Sequence, residues 1–87
     1  MSGLIADVSD YTLILNVGSK SGVKMGDHLG VFHKGKEIRD PATGKVLKTL
    51  NTRLGDVTIT EVDTDSSTGT FAGPALPKVG DVVETVQ

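Results

Sequence analysis

Apolar and polar side chains alternate with a period of two along most of this chain, and clusters of Gly, Pro, Asp and Ser interrupt the alternation. That period belongs to strands with one buried face; a helix repeats its apolar positions about every 3.6 residues. Leu4, Ala6 and Val8 alternate with Ile5, Asp7 and Ser9. After a Ser9-Asp10 turn, Tyr11, Leu13, Leu15 and Val17 fall on one side, which predicts a hairpin. A run from His28 to Lys34 sets Leu29, Val31 and His33 on one side, and Gly35 is expected to turn the chain tightly into Lys36-Glu37-Ile38-Arg39. In Asp40-Pro41-Ala42-Thr43-Gly44, Pro41 presets φ, Asp40 can bond forward to the backbone and Gly44 accepts a positive φ, so a turn is expected there.

Further extended runs are Lys45 to Lys48, Leu54 to Val62, Thr68 to Ala72 and Asp81 to Val86, with a turn over Asp63 to Ser67. Only Ser19 to Val23 could form a single helical turn. Six or seven short strands predict an all-β fold, a small antiparallel barrel of SH3 or OB size. Closure is favoured over an open sandwich because it hides the strand edges of so small a sheet.

The length of 87 residues suits one domain, taken to span 1–87, with a stability on the order of 5–8 kcal/mol. Hydrophobic residues make up 37% and charged residues 23%, ordinary globular usage, so the 11 glycines do not signal disorder. The net charge is −2, with both signs scattered and no basic block, which argues against nucleic acid as a partner. Single-strand-binding barrels also need stacking aromatics, and Tyr11, Phe32 and Phe71 are too few, since the core must take some of them. Without cysteine, disulfides and thiolate metal sites are excluded. No signal peptide or ~20-residue apolar run is visible, so the chain is not expected to span a membrane. Met1-Ser2-Gly3 reads as an expression start joined to a domain boundary, and the chain is expected to be a fragment of a larger protein, monomeric in isolation.

Several motifs resemble sites. Gly18-Ser19-Lys20-Ser21-Gly22 follows a strand as a phosphate loop does, but Val23 stands where the motif needs Lys, so a turn is expected. His28 and His33 lie on one strand with opposite orientations and cannot share a metal through it. Asp63-Thr64-Asp65-Ser66-Ser67 opens like a calcium loop, but Thr68 and Pro74 occupy the Gly and Glu positions. Lys24 lies in a string like a turn of biotinyl and lipoyl domains, without the hairpin tip such a lysine needs. No hydroxyl stands in a context that marks it as a nucleophile. A basic–apolar–Gly–Asp pattern recurs as Lys24-Met25-Gly26-Asp27, Arg53-Leu54-Gly55-Asp56 and Lys78-Val79-Gly80-Asp81. Each copy is expected to be a turn leading into a strand, with Gly taking the unusual φ and Asp tying down the backbone. A binding role for the three Asp residues would require them at one end of the barrel. No catalytic residue, metal ligand or cofactor site is assigned.

Three segments together carry a resemblance: Leu15 to Asp27, Lys34 to Leu47 and Leu54 to Val62. In this order and spacing, the chain from about residue 4 to 86 resembles the C-terminal domain of the flagellar assembly protein T family. Similar domains end various bacterial envelope proteins, some with a curli-secretion-like region upstream. The resemblance implies a small β-barrel in the periplasm or at the outer membrane that contacts protein partners during assembly, and it implies no catalytic residues. The expected function is therefore a non-catalytic interaction or assembly module, with a ligand-binding barrel for a glycan, ion or small molecule as the alternative. The expected contact surfaces are an unpaired strand edge or the excursion over residues 35–50. That excursion has few large apolar anchors and is expected to be the most mobile ordered region.

Overall fold

The computed structural model describes residues 2–85. Its strands are β1 (Ser2–Ser9), β2 (Thr12–Leu15), β3 (His28–Arg39), β4 (Val46–Val62), β5 (Ser67–Ala72) and β6 (Val82–Thr85). All neighbours are antiparallel, and the order β1-β2-β5-β4-β3-β6 closes on itself through β6–β1 pairing. The fold is all-β, with six strands in a ring-like sheet. The end of the last predicted strand, at Val86, lies outside the described residues.

The interior is filled by Ile5, Leu13, Leu15, Val17, Val23, Leu29, Val31, Val57, Ile59, Phe71 and Val83. Leu13, Leu15 and Val17 point inward as the alternation predicts, while Tyr11 sits at the rim, 58% exposed. In β1 the alternation breaks. The β1–β2 register shifts between Ile5 and Asp7, so the chain bulges near Ala6. One extra residue exchanges the faces of the strand. Buried Ile5 and half-buried Val8 can then both reach the core although they are three residues apart.

Two predicted boundaries are corrected. Gly35 makes no turn: β3 runs unbroken from His28 to Arg39. The glycine is needed because β4 comes so close there that a Cβ would lie 2.3 Å from the Leu50 carbonyl oxygen. The runs around Lys45 and Leu54 are not separate strands either but one, β4. Pairing with β3 across Thr49 to Arg53 bridges the polar stretch between them, because a partner's ladder bonds hold an extended chain whatever its local pattern. The predicted helical turn is a short 3-10 turn, Ser19–Ser21.

Candidate interaction surface

Among the described residues, β3 pairs with β6 only from Leu29 to Phe32, and β4 pairs with β5 only from Asp56 to Val62. Beyond those limits β3 and β4 pair only with each other and leave the barrel as a two-stranded arm. The molecule is accordingly elongated, 46 × 29 × 23 Å.

The tip of the arm is the predicted turn. Asp40 Oδ1 accepts from Ala42 N at 2.8 Å, Gly44 N donates to Asp40 O at 2.8 Å, and Gly44 has φ 76°. Arg39 clamps the turn by donating through Nη1 to Gly44 O (3.0 Å) and through Nη2 to Glu37 Oε2 (2.8 Å). Val46, Leu47 and Leu50 are exposed along β4, Leu47 to 65%. The barrel core does not contain these side chains, so the arm carries apolar side chains that no other described residue buries.

Folding also sorts the charge. Residues 34–53 hold Lys34, Lys36, Arg39, Lys45, Lys48 and Arg53 against Glu37 and Asp40, a net +4. The whole chain carries −2, so the remainder carries −6. Both signs are scattered along the sequence with no basic block, and the pairing of β3 with β4 sets the cations of residues 34–53 on one hairpin.

The repeated basic–apolar–Gly–Asp pattern separates into two structures. Its first and third copies are the same turn. Lys24 N donates to Asp27 Oδ2 at 2.9 Å, and Lys78 N donates to Asp81 Oδ2 at 2.8 Å. Gly26 and Gly80 have φ 89° and 95°, a region open to glycine at little cost. Each of these turns leads into a strand, as expected. The second copy does not: Arg53 to Asp56 lies within β4 at a bulge, where Arg53 Nη2 donates to Asp56 Oδ1. Asp27 precedes β3 and Asp81 precedes antiparallel β6, which places them at opposite ends of the barrel. The three carboxylates therefore form no common site.

Asp81 nevertheless has a distinct place. It is 6% exposed, and its Oδ1 lies 2.8 Å from His33 Nδ1 at the point where the arm leaves the barrel. With Leu54, Leu76 and Lys78, the pair lines a small pocket of about 180 Å³. Sequence reasoning identified both residues without their partnership, since only the antiparallel β3–β6 pairing brings them together. His28 lies elsewhere on β3, its Nδ1 3.0 Å from Thr58 Oγ1. The opposite orientations expected for the two histidines hold.

The loop that looks like a phosphate cradle is already occupied by protein. Ser19 N donates to Asp63 O (2.9 Å) and Lys20 N to Thr64 O (3.2 Å), so the amides that would receive an anion pin one turn to another. Asp65, of the calcium-like sequence, lies 3.7 Å from Lys20 Nζ. Of the three aromatics, Phe71 fills the core, Phe32 is half-buried and Tyr11 is exposed. Among the described residues, no helix is long and apolar enough to cross a membrane.

A closed six-stranded ring with a filled interior and one projecting basic hairpin defines a small β-barrel domain whose open chemistry lies on its outside. The chain belongs to the family of flagellar assembly protein T C-terminal domains, whose model matches residues 10–84. No curated protein matches the chain.

Proposed function

We propose that this domain is a non-catalytic protein–protein interaction or assembly module of a bacterial cell-envelope protein, working in the periplasm or at the outer membrane. The observation that carries this reading is the arm. It holds Val46, Leu47 and Leu50 in solvent on a hairpin that the barrel core does not require. Exposed apolar side chains grouped on one element are a common mark of a contact surface. Membership of a flagellar assembly family supports an assembly role and an envelope setting.

The alternative, a ligand-binding barrel, has less support. Side chains fill the barrel interior, and the pocket beside His33 and Asp81, at about 180 Å³, is below the roughly 300–1,000 Å³ of small-molecule sites. The test is photo-crosslinking in a bacterium that makes the protein, with the reactive side chain placed at Leu47 or, as a control, at the barrel residue Asp10. A discrete adduct with an envelope protein is expected from position 47 only. Equal adducts from both positions, no adduct, or a turnover activity of the purified domain would each defeat the proposal.

A further inference from the structure

We infer that the outer edge of β4 from Lys48 to Arg53 is a docking site for an extended acidic segment of another protein, which adds to the arm as a further strand. This rests on the interaction-module reading and names the chemistry of the partner.

The geometry supplies the edge. Among the described residues, residues 34–39 of β3 and 46–53 of β4 pair with no strand but each other, so each leaves one main-chain edge unpaired in the sheet. Such an edge accepts a strand through backbone hydrogen bonds. The two edges differ. The register shift between Lys34 and Glu37 puts an extra residue into β3 and bends it. In β4 the extra residues fall at Leu47 and Leu54, and the stretch between them, Lys48 to Arg53, is regular.

Charge selects the occupant. The arm carries +4, so a second arm is repelled, and lysine-rich edges of this kind are a known device against self-pairing. The acidic part of a second copy is its barrel, which is a closed ring and offers no edge to add. Neither part of a second copy of residues 1–87 therefore offers an acidic strand, and the occupant is assigned to a different protein. Part of its attraction is unspent within the arm: Arg39 and Arg53 meet Glu37 and Asp56, but among the described residues no carboxylate lies within ion-pair distance of Lys36, Lys45 or Lys48. Lys34 meets Glu37 only at 3.9 Å and in solvent, a contact of little strength.

Alternation sets the pattern of the segment. Ile38 pairs with Lys48, and residues two apart share a face, so Ile38, Lys48 and Leu50 lie together. Lys34 pairs with Asn51 and Glu37 with Thr49, placing Lys34, Glu37, Thr49, Asn51 and Arg53 on the other face. The matching segment alternates apolar side chains, beside Leu50, with carboxylates, beside Arg53 on the face that also holds Lys34.

The test uses the 87-residue chain and a fluorescent peptide of about ten residues alternating Glu and Val, long enough to cover this edge. Fluorescence anisotropy should show saturable binding that weakens as salt rises from about 0.05 to 0.5 M. Amide NMR shifts should concentrate at residues 48–53. Charge reversal by K34E and K48E together should weaken binding roughly tenfold or more. N-methylation of alternate peptide amides, which leaves charge intact, should abolish it.

Equal binding by the N-methylated peptide, by a blockwise Glu/Val scramble or by a Lys/Val peptide would overturn the inference. So would concentration-dependent self-association of the domain through the same edge, or binding to phosphatidylglycerol vesicles through these lysines with no binding to the peptide. If the peptide fails while crosslinks from position 47 persist, the interaction module stands and the acidic strand does not. If both fail, both readings fall.

Discussion

Replacing Asp81 with alanine removes two interactions from one nearly buried carboxylate. Lys78 N loses its acceptor, at 2.8 Å, and His33 Nδ1 loses its partner, also at 2.8 Å. A hydrogen bond to a charged group contributes roughly 1.5–3 kcal/mol, and a part-buried donor left unpaired costs on the same scale. The expected loss is therefore about 2–4 kcal/mol, from about a quarter to about four fifths of a total on the order of 5–8 kcal/mol. The first copy of the turn is an internal control. Asp27 accepts one bond, from Lys24 N in an exposed setting, and water can replace it, so Asp27→Ala should cost about 1 kcal/mol.

Urea unfolding followed by circular dichroism gives both numbers with the m-value as a check on two-state behaviour. In a heating experiment, at roughly 4–8 °C per kcal/mol, Asp81→Ala should lower Tm by about 10–25 °C and Asp27→Ala by about 5 °C. His33→Ala should cost less than Asp81→Ala, and the double variant less than the sum, because the two residues share one contact. Equal losses for Asp27→Ala and Asp81→Ala, or a loss below about 0.5 kcal/mol for Asp81→Ala, would refute the argument that burial and the His33 contact set the third copy apart.

Three further outcomes follow from the same structure. Phe71→Ala empties the largest core position at the arm-side bulge and should cost about 3–5 kcal/mol, leaving the domain close to unfolded at 37 °C by calorimetry. Ser67→Ala removes the buried bond from Ser67 Oγ to Val17 O (2.7 Å) and should cost about 1–3 kcal/mol in urea unfolding, since the carbonyl is left without that donor. In hydrogen exchange, arm amides over 36–39 and 46–50 should exchange well before those of Val31, Val57 and Ile59, because the arm pairs on one side only; uniform protection along β3 and β4 would contradict this.

The sequence made local features readable and left long-range ones hidden, and the division follows their physical cause. The turn at Asp40 to Gly44 was legible because its bonds run between residues a few positions apart. The inward set Leu13, Leu15, Leu29 and Val31 was legible because alternation alone assigns faces. Gly35 was misread because its requirement comes from Leu50, fifteen positions along the chain, and not from its own neighbours. The bulge near Ala6 was equally invisible, since one unpaired residue leaves no mark in composition. The basic surface depends on which cations share a hairpin, and that becomes defined only when β3 and β4 are known to continue past the barrel.

β4 has 17 residues and runs without interruption from the tip of the arm to the far side of the barrel. Its outer part carries the exposed Leu47 and Leu50, and its inner part carries Val57 and Ile59, both buried. A load applied to the arm along its length therefore enters the folded body along two continuous strands, β3 and β4, past the bulge at Leu54. Beyond the arm, β4 is held on both sides, by β3 and β5, so the load is taken up in shear across many ladder bonds at once and not peeled from one end. A pull on a partner seated on the arm therefore reaches the ladders of the barrel along the strands themselves.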